Sequence, residues 1–257
     1  MTERELDKLD RQETIDMLKE IDENYANLDL PIVEPKYNKD GELTNEKEVK
    51  ASLKLVLPIL LLLWGHNIDT TMRKSINTMN YTNTYYNIVK KGLKQPKTMI
   101  SVKEWNNIVD KAVKDRQKAI KIKQVIQGNA NSLNKRVQDT VLKMYKSGKN
   151  YKQTAKELQR QFGYNKAKAK SIAITEKNYY KSEAQLKAIE SISDNVKKIW
   201  VHNDIGVARE SHLQADGQVA DKDGYFHVAG YKTLAPQHFG TPSMDINCHC
   251  TIKIIEK

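Results

Sequence analysis

The chain has 257 residues, 29% of them charged and 39% hydrophobic, with a formal net charge of +11. That length allows one or two domains with cores of their own, and the scarcity of glycine and proline favours helices. Two cysteines exclude a disulfide framework, and the opening MTERELDKLD has no apolar centre, so neither a secretory leader nor an oxidising compartment is expected.

Charge is spread unevenly. Residues 1–50 hold 8 basic and 15 acidic side chains, residues 51–200 hold 30 and 10, and residues 201–257 hold 5 and 7. A basic middle of this size attracts phosphate backbones by counterion release, whatever the base sequence. A solvated lysine-rich surface would give the same counts.

In chain order, Leu6, Leu9, Ile15, Leu18, Ile21 and Tyr25 recur at helical spacing among charged residues, which predicts an acidic amphipathic helix over 3–28. Its apolar face needs a partner, in this chain or another. Pro31, Pro35 and Asn38-Lys39-Asp40-Gly41 predict a linker to about residue 46. The apolar run Leu55 to Trp64 is about half a bilayer span and contains Pro58, so it predicts a helix buried nearly all round. Helical expectation weakens over 66–90, where Asn, Thr and Tyr dominate. It resumes from Val102 through Trp105, Val109 and Ile122, with an end at Gly128-Asn129. Leu133, Val137, Val141 and Met144 mark the next helix, which stops at Gly148. Thr154 and Glu157 fit a capping box, and Gly163 predicts a stop before another helix from Lys166 to Ser191. On that helix Ile172, Tyr179 and Leu186 fall at heptad spacing.

After Ser193-Asp194-Asn195 the pattern changes. Val196–Val201 is short and β-branched and predicts a strand. Asn203-Asp204 predicts a turn, Ala208–Ala215 a short helix, and Asp216-Gly217 with Asp223-Gly224 the turns of a weak hairpin. A last strand is predicted over 246–255, with Cys248, Cys250, Ile252 and Ile254 on one face. The fold class is therefore α+β: a mainly helical N-terminal and middle region with a small C-terminal α+β module. The segments are an acidic helix and linker (1–46), a helical region (47–131) and the module (132–257).

Reactive side chains crowd into the tail, which has both cysteines and five of the six histidines. Cys248, Cys250, His212 and Asp216 make a candidate zinc set. Cysteine pairs in structural zinc sites usually stand further apart, and the two thiols would also serve as small buried hydrophobes, so no cofactor is required. Arg209, His212 and Asp216 at helical steps would suit acid–base work on a phosphate ester, or equally a polar network that ties a loop-rich module together. Glu176, beside the apolar face of its helix, needs a partner, with Arg209 one candidate. Phosphate-cradling glycine loops, a nucleophile elbow and a metal-binding HExxH helix are all missing from the sequence.

The ordered set Thr175-Glu176, Trp200, Arg209-Glu-Ser-His212, Asp216-Gly217-Gln218 and Asn247-Cys248-His249-Cys250 resembles the Mu protein F-like head morphogenesis family of tailed phages, over roughly residues 132–257. Three positions depart from the family pattern. Ile174 stands where the family has arginine, His249 replaces the arginine between the cysteines, and the acidic pair before the Arg-x-x-His is reduced to Asp204 followed by Ile205-Gly206. The resemblance implies a minor capsid protein without catalytic residues, located in the virion and in the host cytoplasm during assembly. Its implied partners are the portal protein, other capsid or scaffold proteins and double-stranded DNA bound without sequence preference, with no membrane. On that reading the acidic first helix would dock on a portal or capsid subunit, and residues 1–30 could be removed with the tail still folded. Two alternatives remain: a nuclease or toxin-like transferase using the tail module, and a nucleoid-type DNA binder.

Overall fold

The computed structural model describes residues 2–203 and 208–256. Six long or medium helices come first: α1 (Glu3–Ala26), α2 (Glu46–Leu53), α3 (Val56–Lys90), α4 (Val102–Ala119), α5 (Ile122–Lys146) and α6 (Tyr151–Glu190). The tail adds β1 (Val196–Val201), α7 (Glu210–Gln214), β2 (Phe226–Val228), β3 (Tyr231–Thr233), α8 (Pro242–Asp245) and β4 (Thr251–Glu256). The class is α+β, mainly helical with a small C-terminal module.

The chain forms two compact units, each drawn from separated stretches. One comprises residues 1–17, 71–116 and 171–257; the other comprises 18–70 and 117–170. The sequence-based boundaries at 46 and 131 do not coincide with these units.

In the unit of residues 18–70 and 117–170, the buried side chains include Ile21, Tyr25, Leu60, Trp64, Leu133, Val137, Val141 and Tyr145. The apolar run is not buried all round: Leu55 is 57% and Leu62 74% exposed. The stretch Glu46–Lys90 is long and apolar enough, by length and composition, to cross a membrane, and 44% of its most apolar window is buried. Pro58 is the third residue of α3, in the first turn, where its missing N–H costs no hydrogen bond. The expected break at Gly128-Asn129 lies inside α5. The helix boundary falls earlier, at Lys121, whose φ is +50°, and Asn129 stays helical with its Nδ2 donating to the Val125 carbonyl at 2.8 Å.

The stop expected at Gly163 is also absent, since α6 runs unbroken for 40 residues. Asn165, two residues on, is buried and accepts a hydrogen bond from Tyr25 Oη at 2.6 Å. The capping box sits one turn earlier than expected. Gln153 N donates to Asn150 Oδ1 at 2.9 Å while Asn150 N donates to Gln153 Oε1 at 3.1 Å, and Thr154 Oγ1 instead donates to the Asn150 carbonyl.

In the other unit, α3 continues as helix through the Asn/Thr/Tyr-rich stretch. The hydroxyls of Ser75, Thr82 and Thr84 each donate to the carbonyl four residues back, so they remain satisfied without leaving the helix. The buried positions of α6 here include Ala173, Lys177, Tyr180, Ala184 and Ala188, steps of three and four on one face. Of the heptad residues Leu186 is buried and Ile172 and Tyr179 are only partly so.

The acidic first helix supplies the partner for that lysine. Asp10 on α1 accepts hydrogen bonds from Lys177 and, at 2.8 Å, from Lys181; Thr78 Oγ1 adds a third at 3.0 Å. Leu6 and Met17 are buried as well, while Leu9 and Ile15 are exposed. Part of the apolar face of this helix is therefore covered within its own chain, with Leu9 and Ile15 left outside. Residues 1–17 belong to the same compact unit as the tail, so the expectation that they dock elsewhere and can be deleted harmlessly is withdrawn.

The tail packs around Trp200, fully buried in β1. β1 and β4 pair antiparallel with Trp200 opposite Ile252. The hairpin lies later than its turn signals suggested, in β2 and β3 with Phe226 opposite Thr233. The last strand begins at Thr251, not at residue 246, so Cys248 and Cys250 precede it. Asn247 takes a left-handed φ of +53°, which breaks the extended run. The turn expected at Asn203-Asp204 and the Asp204, Ile205 and Gly206 of the family comparison lie, beyond Asn203, outside the described residues.

Candidate functional site

Residues 246–250 run outside the strands, so their backbone groups have no ladder to pair with and require other partners. Side chains from α6 and the tail loops provide them. Thr175 Oγ1 accepts from Asn247 N at 3.0 Å, and Ser171 Oγ donates to Asn247 Oδ1 at 3.1 Å. The Cys248 carbonyl accepts from Asn178 Nδ2 at 2.9 Å and from Gln237 Nε2 at 2.7 Å. The His249 carbonyl accepts from Asn203 Nδ2 at 2.7 Å, and the Arg209 guanidinium donates to the Ile246 carbonyl. Further on, Tyr86 Oη of α3 donates to the Ile252 carbonyl at 2.8 Å.

Asp216, Gly217 and Gln218 hold the other side of this arrangement. Asp216 Oδ1 accepts from His202 N at 2.8 Å. Gly217 N donates to the Trp200 carbonyl and Trp200 N to the Gln218 carbonyl, both at 2.9 Å. Gly217 sits at φ +76°, and a methyl group there would meet nothing within 4 Å. Gly217→Ala should therefore cost about 1–2 kcal/mol from left-handed backbone strain alone. Gly163→Ala, at an uncrowded position inside α6, should instead stabilise by about 0.5–1 kcal/mol. Paired denaturant titrations read both signs.

The candidate zinc set is brought together in part. His212, Cys248 and Cys250 are all buried, and their donor atoms lie within 4.8 Å of one another. His212 Nδ1 is 3.4 Å from Cys248 Sγ and 3.7 Å from Cys250 Sγ. Asp216 is not in the cluster. His202 is also outside it, although its Nδ1 comes within 3.7 Å of Cys250 Sγ. The two thiols differ in acidity. A hydrogen bond from Cys250, aided by His212 against the cost of burial, holds Cys248 well below the ordinary thiol range; the same bond, with burial, pushes Cys250 up.

The proposed acid–base trio does not converge. Arg209 precedes α7 and is spent on a backbone carbonyl, His212 faces the thiols, and Asp216 lies beyond the helix, holding His202 N. Glu176 pairs with Arg116 of α4 rather than with Arg209. The contact is bidentate, with Nε to Oε2 and Nη2 to Oε1 both at 2.8 Å, and the guanidinium lies 3.9 Å over the Tyr179 ring. No local pattern signals this partner, which stands 60 residues upstream. It supplies the arginine that the chain lacks at Ile174. Tyr179 also stacks on His238, whose Nε2 is 3.0 Å from Glu183 Oε2; this hydrogen bond holds the Glu183 carboxyl below its usual range.

Residues 135–253 match the family model described as phage Mu protein F like protein. The matched stretch is just under half of the chain. Thr175, Arg209, Gly217 and Gln218 are committed to the Trp200 strand or to the 246–250 segment, whereas Glu176 pairs with Arg116. A stretch of 113 residues is also 30% identical to the NAD(+)-arginine ADP-ribosyltransferase EFV of Enterococcus faecalis (strain ATCC 700802 / V583), covering 42% of this chain and 23% of that protein. The chain thus spans about a quarter of the length of this curated relative. No solved structure matches the chain.

Proposed function

We propose that this protein is a minor head component associated with the portal, in which the Mu F-like region serves as architecture and the lysine-rich helices meet packaged DNA. The observation that carries the architectural part is the use of the family residues: Thr175, Arg209 and Asp216 are hydrogen-bonded to backbone, and none of them converges on a common reacting centre. An enzyme requires groups aimed at substrate, within hydrogen-bond reach of where it would sit. The likeness of residues 135–253 to phage Mu protein F like protein supports the head as location, and the portal as partner is part of the proposal.

The DNA part rests on charge. Residues 117–170 hold 14 lysines and arginines against 2 acidic residues, and Lys143, Lys149, Lys152, Lys156 and Lys168 are exposed. Such a surface binds duplex through phosphates, with affinity set by salt and indifferent to sequence. The triple variant Lys149→Glu, Lys152→Glu, Lys156→Glu should weaken binding equally for unrelated duplexes. It should flatten the slope of log affinity against log salt by roughly one per lysine. An unchanged slope removes these lysines from the interface.

Co-expression with the portal protein of the same phage tests the partner. A complex that survives size exclusion is expected, and portal that elutes alone contradicts it. The second reading is enzymatic and draws on the printed name of the Enterococcus relative. It predicts transfer of ADP-ribose from NAD+ to arginine, lost in His212→Ala. The proposal here predicts no transfer above the level without protein.

A further inference from the structure

We propose that the solvent side of α6, in the unit of residues 18–70 and 117–170, binds unpaired DNA with a base stacked on Tyr164. This rests on the reading that the lysine-rich helices meet DNA, and it names the form of DNA that this face takes. A tyrosine exposed by itself would need no explanation. Tyr164, 68% exposed, has neighbours that set it apart. Arg136 of α5 places its guanidinium carbon over the ring, 5.4 Å from the centroid, a cation–π distance. The Nε of that guanidinium is buried and has no hydrogen-bond partner among the described residues. On α6, Lys152, Lys156, Arg160, Tyr164 and Lys168 recur every fourth residue and all are exposed. Cations and ring therefore follow a single ridge of the helix. Glu157 is the one carboxylate between residues 152 and 168, and Arg160 holds it, with Nη2 to Oε1 at 2.7 Å.

Cations alone read phosphates and do not distinguish one strand from two. The ring adds the distinction. In a duplex each base is paired and stacked, so its faces are covered except at the ends. An unpaired base can turn out and lie on an aromatic side chain, whatever its identity. Arg136 lies over one face of Tyr164, and the base would take the other. Gly163, exposed beside the tyrosine, has open space where a Cβ would stand, so a strand can approach the ring across it. Arg160 and Lys168 stand one turn to either side, about 6 Å along the helix axis, within reach of the phosphates that flank a stacked base.

The test is fluorescence anisotropy of the full-length chain with two probes, a labelled oligothymidine and a labelled blunt duplex of mixed sequence. Wild-type protein is expected to bind both. Tyr164→Ala should weaken oligothymidine binding by at least about fivefold, the loss of one stacked base. It should change duplex binding by less than about twofold, since the phosphate contacts remain. Tyr164→Phe, which keeps the ring, should keep wild-type affinity for both probes. An unchanged denaturant midpoint is expected for these substitutions at an exposed position. Should the midpoint of Tyr164→Ala move, ultraviolet cross-linking of wild-type protein to oligothymidine decides, with the adduct expected on Tyr164. Oligothymidine affinity untouched by Tyr164→Ala, an equal loss for both probes, or an adduct elsewhere overturns the stacking. Salt-dependent binding of duplex in those cases leaves the lysine reading standing, whereas wild-type protein that binds neither probe overturns both.

Discussion

Replacing Asp10 with asparagine is expected to destabilise the protein by about 3–5 kcal/mol, read as a shift in the denaturant midpoint. The side chain of Lys177 is 3% exposed and that of Lys181 27%, and the Asp10 carboxylate between them is 14% exposed. Burial alone would raise the Asp10 pKa, but Lys181 and Lys177 outweigh it and hold the carboxyl far below the carboxylate range. The converse is seen at Lys177, whose pKa is lowered because burial costs its charge more than a carboxylate shared with Lys181 returns. Removing the carboxylate leaves a buried ammonium with no counter-charge, which is the expensive outcome. The sign of the pH dependence follows. With its folded pKa below its unfolded one, Asp10 contributes its full stability above about pH 4 and loses it as pH falls toward the folded value. Wild-type protein should lose this contribution on acidification, and Asp10→Asn should lack that part of the acid limb.

Trp200→Ala should cost a similar amount, about 3–5 kcal/mol, by opening a cavity that the tail cannot refill. Trp200 is fully buried and meets three rings edge-on: Phe226 at 5.4 Å, His212 at 5.7 Å and Phe239 at 6.0 Å between centroids. Its backbone also links β1 to the Gly217-Gln218 turn. The loss should appear as a shifted midpoint with near-ultraviolet dichroism reduced, while the far-ultraviolet helix signal changes little. Trp200→Phe, which keeps an aromatic ring in the same place, should recover much of the stability. If alanine costs less than about 1 kcal/mol, Trp200 is not the centre of the tail core.

Local chemistry wrote some elements plainly into the sequence. The α1 periodicity, the break at Gly148 and the β-branched run of β1 each depend on neighbouring residues, and each forms close to where that chemistry puts it. Other features depend on distant partners and had no local signature. Gly163 reads as a helix stop, yet α6 continues because packing of flanking residues such as Asn165 outweighs the propensity of one glycine. The first helix looked like a free docking element because the residue that needs it, Lys177, lies 167 positions away.

The candidate site was legible by residue type and only partly by geometry. Cys248, Cys250 and His212 stand together, whereas Asp216 serves a backbone N–H and His202 touches Cys250 from outside the group. A histidine two residues after the buried tryptophan was the available signal for His202. The 246–250 segment read as strand because alternation of Ile, Cys and Ile imitates one. Side-chain hydrogen bonds from α6, invisible to periodicity, hold it instead. Arg116 had no signal at all, since nothing in α4 marks one arginine among so many basic residues.

The central claim is that this chain is a building part of a phage head. Quantitative mass spectrometry of purified heads from the phage that encodes it tests this most directly. The account predicts that the protein is present at a low, reproducible ratio to portal and stays with the heads through a density gradient. Heads of full infectivity that contain none of it would contradict the account.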